Sequence, residues 1–555
     1  MLNSLYLQWK ETLRGTADEQ VLSQMTADEI QDAFSGNIAF GTGGLRGVMG
    51  IGTNRLNRHT VQRVIQGLAK AILTSDAPKS VGVAYDTRHN SAEFAQLTCE
   101  VLTAYGIDAY TFDKAMPTPT LSHAIRLMNL GWGVVITASH NPQQYNGIKV
   151  YDRHGVQLTD NMANEITKSI DTVEFFEELP TGNHKLIKIF SQDIEEKYIS
   201  QIVAYASNHN ATNPYPLTPN PYVTPPNPHK LVYSALHGAG ANAIPTVLEK
   251  LGFSPVCVQK EPDGAFGGLK TPNPEEPIAY EVALEEAKKI DAKLLLATDP
   301  DCDRVGVMVK TDQGFKPLNG NQIGALLIDY LATTRGVNPG DTVISTIVSG
   351  ILGELVSKEH GLEFVRLLTG FKYIGEHIVN MPKGKQFFFG YEESYGYLAG
   401  DGARDKDAVI ASALIVKMAE YYDSKGMTLH DRLQELSEKH GYCIESLSSV
   451  ELSHKGQELV MESLRAGAED PECPNRVTDY VWGYNGLPPS DVIKLHLIEN
   501  GEGSIIESWV AFRPSGTEPK LKLYTAVHAK KLEDAEQMCD TMSSTFLAQL
   551  EEQTI

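Results

Sequence analysis

Short apolar runs alternate with helical segments along most of this chain, and that rhythm most limits what it can fold into. The runs Val81 to Tyr85 and Gly133 to Ile136 alternate with the amphipathic stretches His59 to Leu73 and Ser91 to Tyr105. Strands interleaved with helices of that length predict an α/β domain. The same rhythm restarts with Leu231 to Ala235 and Lys293 to Thr298, and again with Thr342 to Val348 and Gln386 to Phe389. From about Glu445 the pattern changes. Val492 to Ile498, Ser504 to Phe512 and Lys520 to Val527 read as successive strands, with one last helix from Leu532. The fold class expected is α/β, with three similar α/β domains followed by a smaller C-terminal α+β domain.

At 555 residues the chain exceeds what one hydrophobic core usually serves. Asn213 to His229 holds seven prolines, too many for a helix or a central strand, and reads as a linker. The first 35 residues read as two short helices, the second opened by the capping-box spacing Thr26-Ala27-Asp28-Glu29. The expected domains are therefore 1–210, which includes these helices, then 211–320, 321–443 and 444–555.

Charge narrows the partners. A net charge of −22 opposes binding to nucleic acid but leaves room for an anionic small molecule in a cleft lined by a few basic groups. No apolar run approaches the ~18 residues a membrane span needs, and the Lys10, Glu11 and Arg14 near the start do not resemble a secretory leader. The six cysteines are scattered without a Cys-x-x-Cys pair, as in a reducing cytoplasm. A cytoplasmic protein, monomeric or weakly self-associating, is expected.

Two loops carry chemistry. Thr137-Ala138-Ser139-His140-Asn141-Pro142 follows a strand directly, which puts Ser139 at a strand's carboxyl end, where open α/β sheets bind ligands. A turn organised before Pro142 would account for the same residues, and no Gly-x-Ser-x-Gly elbow marks a serine hydrolase. Asp299-Pro300-Asp301-Cys302-Asp303-Arg304 likewise follows an apolar strand and sets three carboxylates at alternate positions. Such carboxylates repel unless a cation joins them, and three of them with open positions suit Mg²⁺. An EF-hand is excluded, because Arg304 and Lys310 stand where that loop needs glycine and glutamate. Asp301-Cys302-Asp303-Arg304-Val305 also fits the aspartyl-nucleophile motif of haloacid-dehalogenase phosphatases, which leaves phosphorylation of Asp301 as the alternative.

Three further loops are consistent with a phosphorylated sugar. Gly41-Thr42-Gly43-Gly44-Leu45-Arg46-Gly47 lacks the third glycine of a dinucleotide fingerprint and reads as a flexible loop delivering Arg46 to a phosphate. Gly390-Tyr391-Glu392-Glu393-Ser394-Tyr395-Gly396 offers a carboxylate and a hydroxyl at another strand end, a pair that suits sugar hydroxyls, although adjacent glutamates usually form a solvated turn. Arg513-Pro514-Ser515-Gly516-Thr517-Glu518-Pro519-Lys520 clusters the donors that a phosphate nest requires.

In this order the loops resemble those of the α-D-phosphohexomutase superfamily, from roughly Phe40 to Tyr524, with the greatest likeness to its phosphoglucomutase branch and some to phosphopentomutases. The resemblance implies domains around a central cleft and an intramolecular phosphotransferase that interconverts glucose 1-phosphate and glucose 6-phosphate. Mannose, ribose or deoxyribose phosphates would be secondary substrates. It implies a phosphoryl group on Ser139, and one Mg²⁺ on the phosphoserine oxygen with Asp299, Asp301 and Asp303. It implies sugar hydroxyls on Glu392 and Ser394, and the non-reacting phosphate on Arg513, Ser515, Gly516 and Thr517. Arg46, His140, Lys149, Arg304 and Lys406 match basic positions around the reacting group, and His237 lies in a similar His-Gly-x-Gly loop. Glucose 1,6-bisphosphate is the implied intermediate and activator. The sugar loop reads Glu-Glu-Ser-Tyr-Gly, unlike that of the bifunctional mannose and glucose mutases, which weighs against mannose phosphate as main substrate.

Overall fold

The computed structural model describes residues 4–40, 44–180, 182, 186–207, 230–468, 476–498, 503–515 and 520–552. The linker reading for Asn213 to His229 lies outside the described residues, as do Gly41 to Gly43, Cys473, Gly516 and Thr517. The chain divides into two compact units. The first comprises Met1–Pro317, Ile374–Met381 and Tyr395–Lys417, and the second Leu318–Tyr373, Pro382–Ser394 and Met418–Ile555.

In the first unit, three helices precede the sheets, Ser4–Thr12, Ala17–Gln24 and Ala27–Ala33, where two were expected. The extra break comes at Thr16, whose side chain accepts from the Glu19 N–H and starts a helix of its own. Thr26 forms the expected capping box with Glu29. Trp9, fully buried, joins the first of these helices to Phe34 at the end of the third, and to Phe175 and Phe176, through edge contacts.

The first sheet contains β1 (Leu45–Val48), β2 (Ser80–Tyr85), β3 (Asp108–Thr111), β4 (Trp132–Ile136), β5 (Tyr145–Tyr151) and β6 (Ile187–Ile189) in the order β1-β5-β4-β2-β3-β6. Strands β4, β2, β3 and β6 run parallel, and β5 turns back antiparallel to β4. The apolar faces pack under helices such as Arg58–Thr74, whose first turn is capped by the Asn57 side chain. The second sheet repeats this plan with β7 (Leu231–Ser234), β8 (Val256–Val258), β9 (Leu294–Thr298), β10 (Val305–Thr311) and β11 (Gly314–Leu318), ordered β11-β10-β9-β7-β8. Here β10 runs antiparallel to β9. The Ser139 loop joins β4 to β5, and the aspartate loop joins β9 to β10. Each is thus a reversal at the carboxyl end of the last parallel strand, an address for ligands in such sheets.

In the second unit, β12 (Asp341–Thr346) pairs in parallel with β13 (Glu363–Leu367) and β14 (Gln386–Tyr391). β15 (Tyr397–Ala399) belongs to the first unit. The C-terminal sheet is antiparallel. It comprises β16 (Tyr442–Glu451), β17 (Arg476–Asp479), β18 (Ile493–Ile498), β19 (Ile505–Pro514) and β20 (Lys520–Ala529), ordered β16-β20-β19-β18-β17. The helix Leu532–Glu552 covers one face through Ala535, Cys539 and Met542. The fold class is as expected: three α/β layers with a β-rich C-terminal domain. Among the described residues no helix is long and apolar enough to cross a membrane.

Candidate active site

Ser139 lies one residue into a left-handed turn (φ 53°) and is 1 % exposed. Non-glycine residues adopt that conformation only where surrounding bonds hold it. Its N–H donates to Thr137 Oγ1 (2.8 Å), and its hydroxyl donates to Asp299 Oδ2 (2.8 Å) and lies 3.2 Å from His140 Nδ1.

The aspartate loop is fully buried. Asp299, Asp301 and Asp303 are all 0 % exposed, and one oxygen from each can lie within 4.8 Å of the others. Asp299 Oδ1 accepts from the N–H groups of Asp303 (3.1 Å) and Arg304 (3.0 Å), which folds the loop onto its first carboxylate. The His237 loop supports it from below. A side chain on Gly238 would come within 2.6 Å of Pro300 Cα, and the Ala239 N–H donates to the Pro300 carbonyl (2.7 Å).

Cations from other elements reach the triad. Lys149 on β5 donates to Asp301 Oδ2 (2.7 Å) and Asp303 Oδ2 (2.8 Å), and Lys406 lies 3.2 Å from Asp303 Oδ2. Thr118, at the start of the helix Thr118–Met128, binds Asp301 twice, by its N–H to the carbonyl (2.8 Å) and its hydroxyl to Oδ2 (2.9 Å).

Electrostatics follow from this crowding. Burial, then the charges of Asp301 and Asp303, push the Asp299 carboxyl well above its ordinary range. Burial would also raise Asp303, but Lys149, Lys406 and Arg304 override it and hold the group below the usual range. Burial would lower the Lys149 ammonium, and Asp301 and Asp303 reverse that, so Lys149 stays a cation. Two carboxylates 4 Å apart repel by about 4 kcal/mol at an effective dielectric of ~20, so three of them buried together need positive charge close by. Asp301 Oδ1 and Asp303 Oδ1 are buried without a hydrogen-bond partner. Orphaned carboxylate oxygens in an all-oxygen donor set fit a hard divalent cation.

Arg46 departs from expectation. It lies on β1, not in a flexible loop, because Leu45 to Val48 pair with β5, and its guanidinium donates to Asn141 Oδ1 (3.0 Å) beside Ser139. Arg304 pairs with Glu275 (2.9 Å), and His237, itself left-handed (φ 61°), has Nδ1 2.8 Å from the Glu261 carbonyl.

The other expected residues fall in the second unit. Glu392, 4 % exposed, accepts from the Gly370 N–H (2.8 Å), so it is no solvated turn residue. Glu393 accepts from the Thr346 hydroxyl (2.9 Å), and Ser394 follows it, partly buried. Arg513, near the end of β19, would be lowered by burial, but Tyr524, Glu393 and Glu392 raise it and keep it charged. The Ser515 N–H donates to the Lys520 carbonyl (2.8 Å), closing the described ends of that loop. Sequence reasoning missed Arg88 and Thr118, and it gave Glu393 no role of its own. The proline pair around Thr118 marks a helix start, but nothing local ties it to an aspartate 183 positions away.

Comparison with known proteins adds family. Residues 37–177, 218–314 and 319–440 match phosphoglucomutase/phosphomannomutase α/β/α domains I, II and III. A phosphoglucomutase of Staphylococcus haemolyticus is 37 % identical over 93 % of this chain and 94 % of its own. One from Staphylococcus epidermidis is 34 % identical over 95 % and 98 %. Among solved structures, pp63/parafusin, a phosphoglucomutase from Paramecium, superposes with a TM-score of 0.70 at 17 % identity, covering 94 % of this chain and 96 % of that one. A putative phosphomannomutase from Thermus thermophilus gives 0.67 at 20 % identity, covering 92 % and 99 %.

Proposed function

This chain belongs to the phosphoglucomutase/phosphomannomutase family, and from that premise we propose that it interconverts glucose 1-phosphate and glucose 6-phosphate. The route runs through a phosphoryl group on Ser139 and a glucose 1,6-bisphosphate intermediate. One observation carries the reading: the Ser139 hydroxyl lies 2.8 Å from a carboxylate of the buried aspartate triad.

In this reading Asp299, Asp301, Asp303 and the phosphoserine oxygen hold one Mg²⁺, which when bound neutralises charge on the transferring group. Lys149 and Lys406 add positive charge beside the same carboxylates. Phosphoryl transfer in which charge spreads over the equatorial oxygens requires little more than such neutralisation and in-line positioning. The proton of the attacking sugar hydroxyl passes through His140 or Lys149, the two basic groups beside the reacting centre, to the Ser139 oxygen that the phosphoryl group leaves; His140 Nδ1 lies 3.2 Å from that oxygen. Arg46 belongs with Ser139, His140 and Lys149 in the catalytic set, and Arg304, Lys406 and His237 contribute to substrate binding. Glu392 and Ser394 hold sugar hydroxyls, and Arg513, Ser515, Gly516 and Thr517 hold the non-reacting phosphate. Bisphosphate that escapes leaves Ser139 bare, so glucose 1,6-bisphosphate activates. We also assign the protein to the cytoplasm, on the scattered cysteine pattern of its sequence.

A coupled assay tests this. Glucose 1-phosphate is expected to turn over faster than mannose 1-phosphate or ribose 1-phosphate, with a lag that added bisphosphate removes. Faster turnover of either competitor would overturn the substrate assignment.

A further inference from the structure

In sequence, Asp86-Thr87-Arg88 is a polar turn after β2. In the fold it is core: Asp86 is 1 % and Arg88 3 % exposed. The Arg88 guanidinium spends its fork on the backbone of the Ser139 loop. One terminal nitrogen donates to the carbonyls of Ser139 and Asn141 (both 2.5 Å), and the other to those of Pro142 (2.9 Å) and Tyr145 (3.1 Å). Asp86 fixes Arg88 in turn, with Oδ2 3.2 Å from Nε and Oδ1 accepting from the Arg88 N–H (2.9 Å). The same carboxylate accepts from Thr137 Oγ1 (2.6 Å), the group that receives the Ser139 N–H. Phe266 closes the far side, its ring 4.9 Å from the guanidinium.

We propose that Arg88 is a positioning residue for phosphoryl transfer, holding Ser139 in its left-handed conformation through these carbonyl bonds. The inference rests on the phosphoserine reading above. Two physical effects follow from the geometry. The guanidinium ties the peptide plane that follows Ser139, and its partner Asp86 fixes the one before it through Thr137 Oγ1, so Oγ is held against Asp299. It also gathers the negative ends of four peptide dipoles on the side it occupies, and these therefore do not face an incoming phosphate. A lysine supplies the charge but cannot span four acceptors with one ammonium. The step concerned is loading: the Ser139 Oγ–phosphorus bond forms, the bond from phosphorus to the sugar oxygen breaks, and the Oγ proton ends on that sugar oxygen.

The test uses the full chain with Mg²⁺ and glucose 1,6-bisphosphate, quenched at intervals, with Ser139 phosphorylation read by intact mass. Arg88→Lys is expected to load roughly a hundredfold more slowly, the effect of a misplaced reacting atom. Its affinity for glucose 6-phosphate should stay within about threefold of wild type, because a positioning defect acts on the reaction step more than on binding. Val81→Ala in β2, fully buried and away from the loop, serves as a matched destabilised control and should load at the wild-type rate. Thr137→Val, which removes the acceptor of the Ser139 N–H, should slow loading in the same direction and carries the test should Arg88→Lys fail to fold. If wild type takes up no phosphoryl group, the phosphoserine reading itself falls. If wild type loads and Arg88→Lys loads equally fast, or slows only as Val81→Ala does, the positioning role falls.

Discussion

The Ser139 hydroxyl donates to Asp299 across 2.8 Å, although 160 positions separate the two residues. Ser139→Ala removes the atom that accepts the phosphoryl group and leaves the carboxylates in place. Mutase activity should fall by at least about a thousandfold, while glucose 6-phosphate still binds by calorimetry. An acid-stable phosphoryl group on wild type, absent from the variant, would identify a phosphoserine and exclude phosphorylation of Asp301.

Asp301 has one oxygen tied to Thr118 and Lys149 and one without a hydrogen bond. Asp301→Asn should cut turnover by several orders of magnitude and raise the Mg²⁺ concentration needed for half-maximal rate. Chelation should abolish activity of wild type, and added Mg²⁺ should raise its melting temperature more than that of the variant. A variant with unchanged Mg²⁺ dependence would contradict the assignment.

Arg513 lies in the second unit with Tyr524, Glu392 and Glu393 near it. A charge-assisted bond to phosphate contributes on the order of 1.5 to 3 kcal/mol, so Arg513→Ala should weaken glucose 1-phosphate by roughly ten- to a hundredfold. Arg513→Lys should recover part of that. Titration of both variants at fixed Mg²⁺, with melting temperatures alongside, separates lost binding from lost folding.

Glu445 on β16 gives a pH signature. Burial pushes its carboxyl up to about 7 against the hydrogen bonds of Asn321 and Asn319, which pull it down. The folded state therefore keeps a proton that the unfolded chain gives up near pH 4.5. With more protons bound when folded, this group's contribution to stability declines as pH rises from about 4.5 to about 7 and then levels off. Glu445→Gln should remove that decline and melt a few degrees higher than wild type at pH 8. Parallel melting curves from pH 5 to 8 check it, and an unchanged slope in the variant would refute it.

Much of this architecture is legible in the chain because β4, β9 and β14 are short apolar runs ending in polar loops, so strand and loop announce each other. The antiparallel partners β5 and β10 are less visible. Tyr145 to Tyr151 mixes glycine, asparagine and lysine, since its Gly147 lies against the backbone of Leu45 and Thr137 and its Lys149 faces the aspartates. Arg88 was hidden for a related reason. A buried arginine among polar neighbours looks like an exposed turn until its carbonyl acceptors, more than 50 positions away, are known. The carboxylate triad itself was fully local, three residues in one loop, whereas Thr118 and Lys406 reach it only through tertiary packing.

The first unit is not one stretch of chain. After Pro317 the backbone contributes to the second unit, then returns for Ile374–Met381 and Tyr395–Lys417, bringing Lys406 to Asp303, Asp405 to the Tyr151 hydroxyl and Asp407 to the Tyr198 hydroxyl. On a ribosome, which delivers the chain from its N-terminus, both early sheets can be synthesised while those contacts are still missing. A nascent chain released after Pro317 would carry the serine loop and all three aspartates yet lack one of the triad's lysines and the acceptors for two buried tyrosine hydroxyls. The buried aspartates therefore gain Lys406 only late in synthesis, after residue 417 has left the exit tunnel, and a product terminated at Pro317 has the motif without that charge.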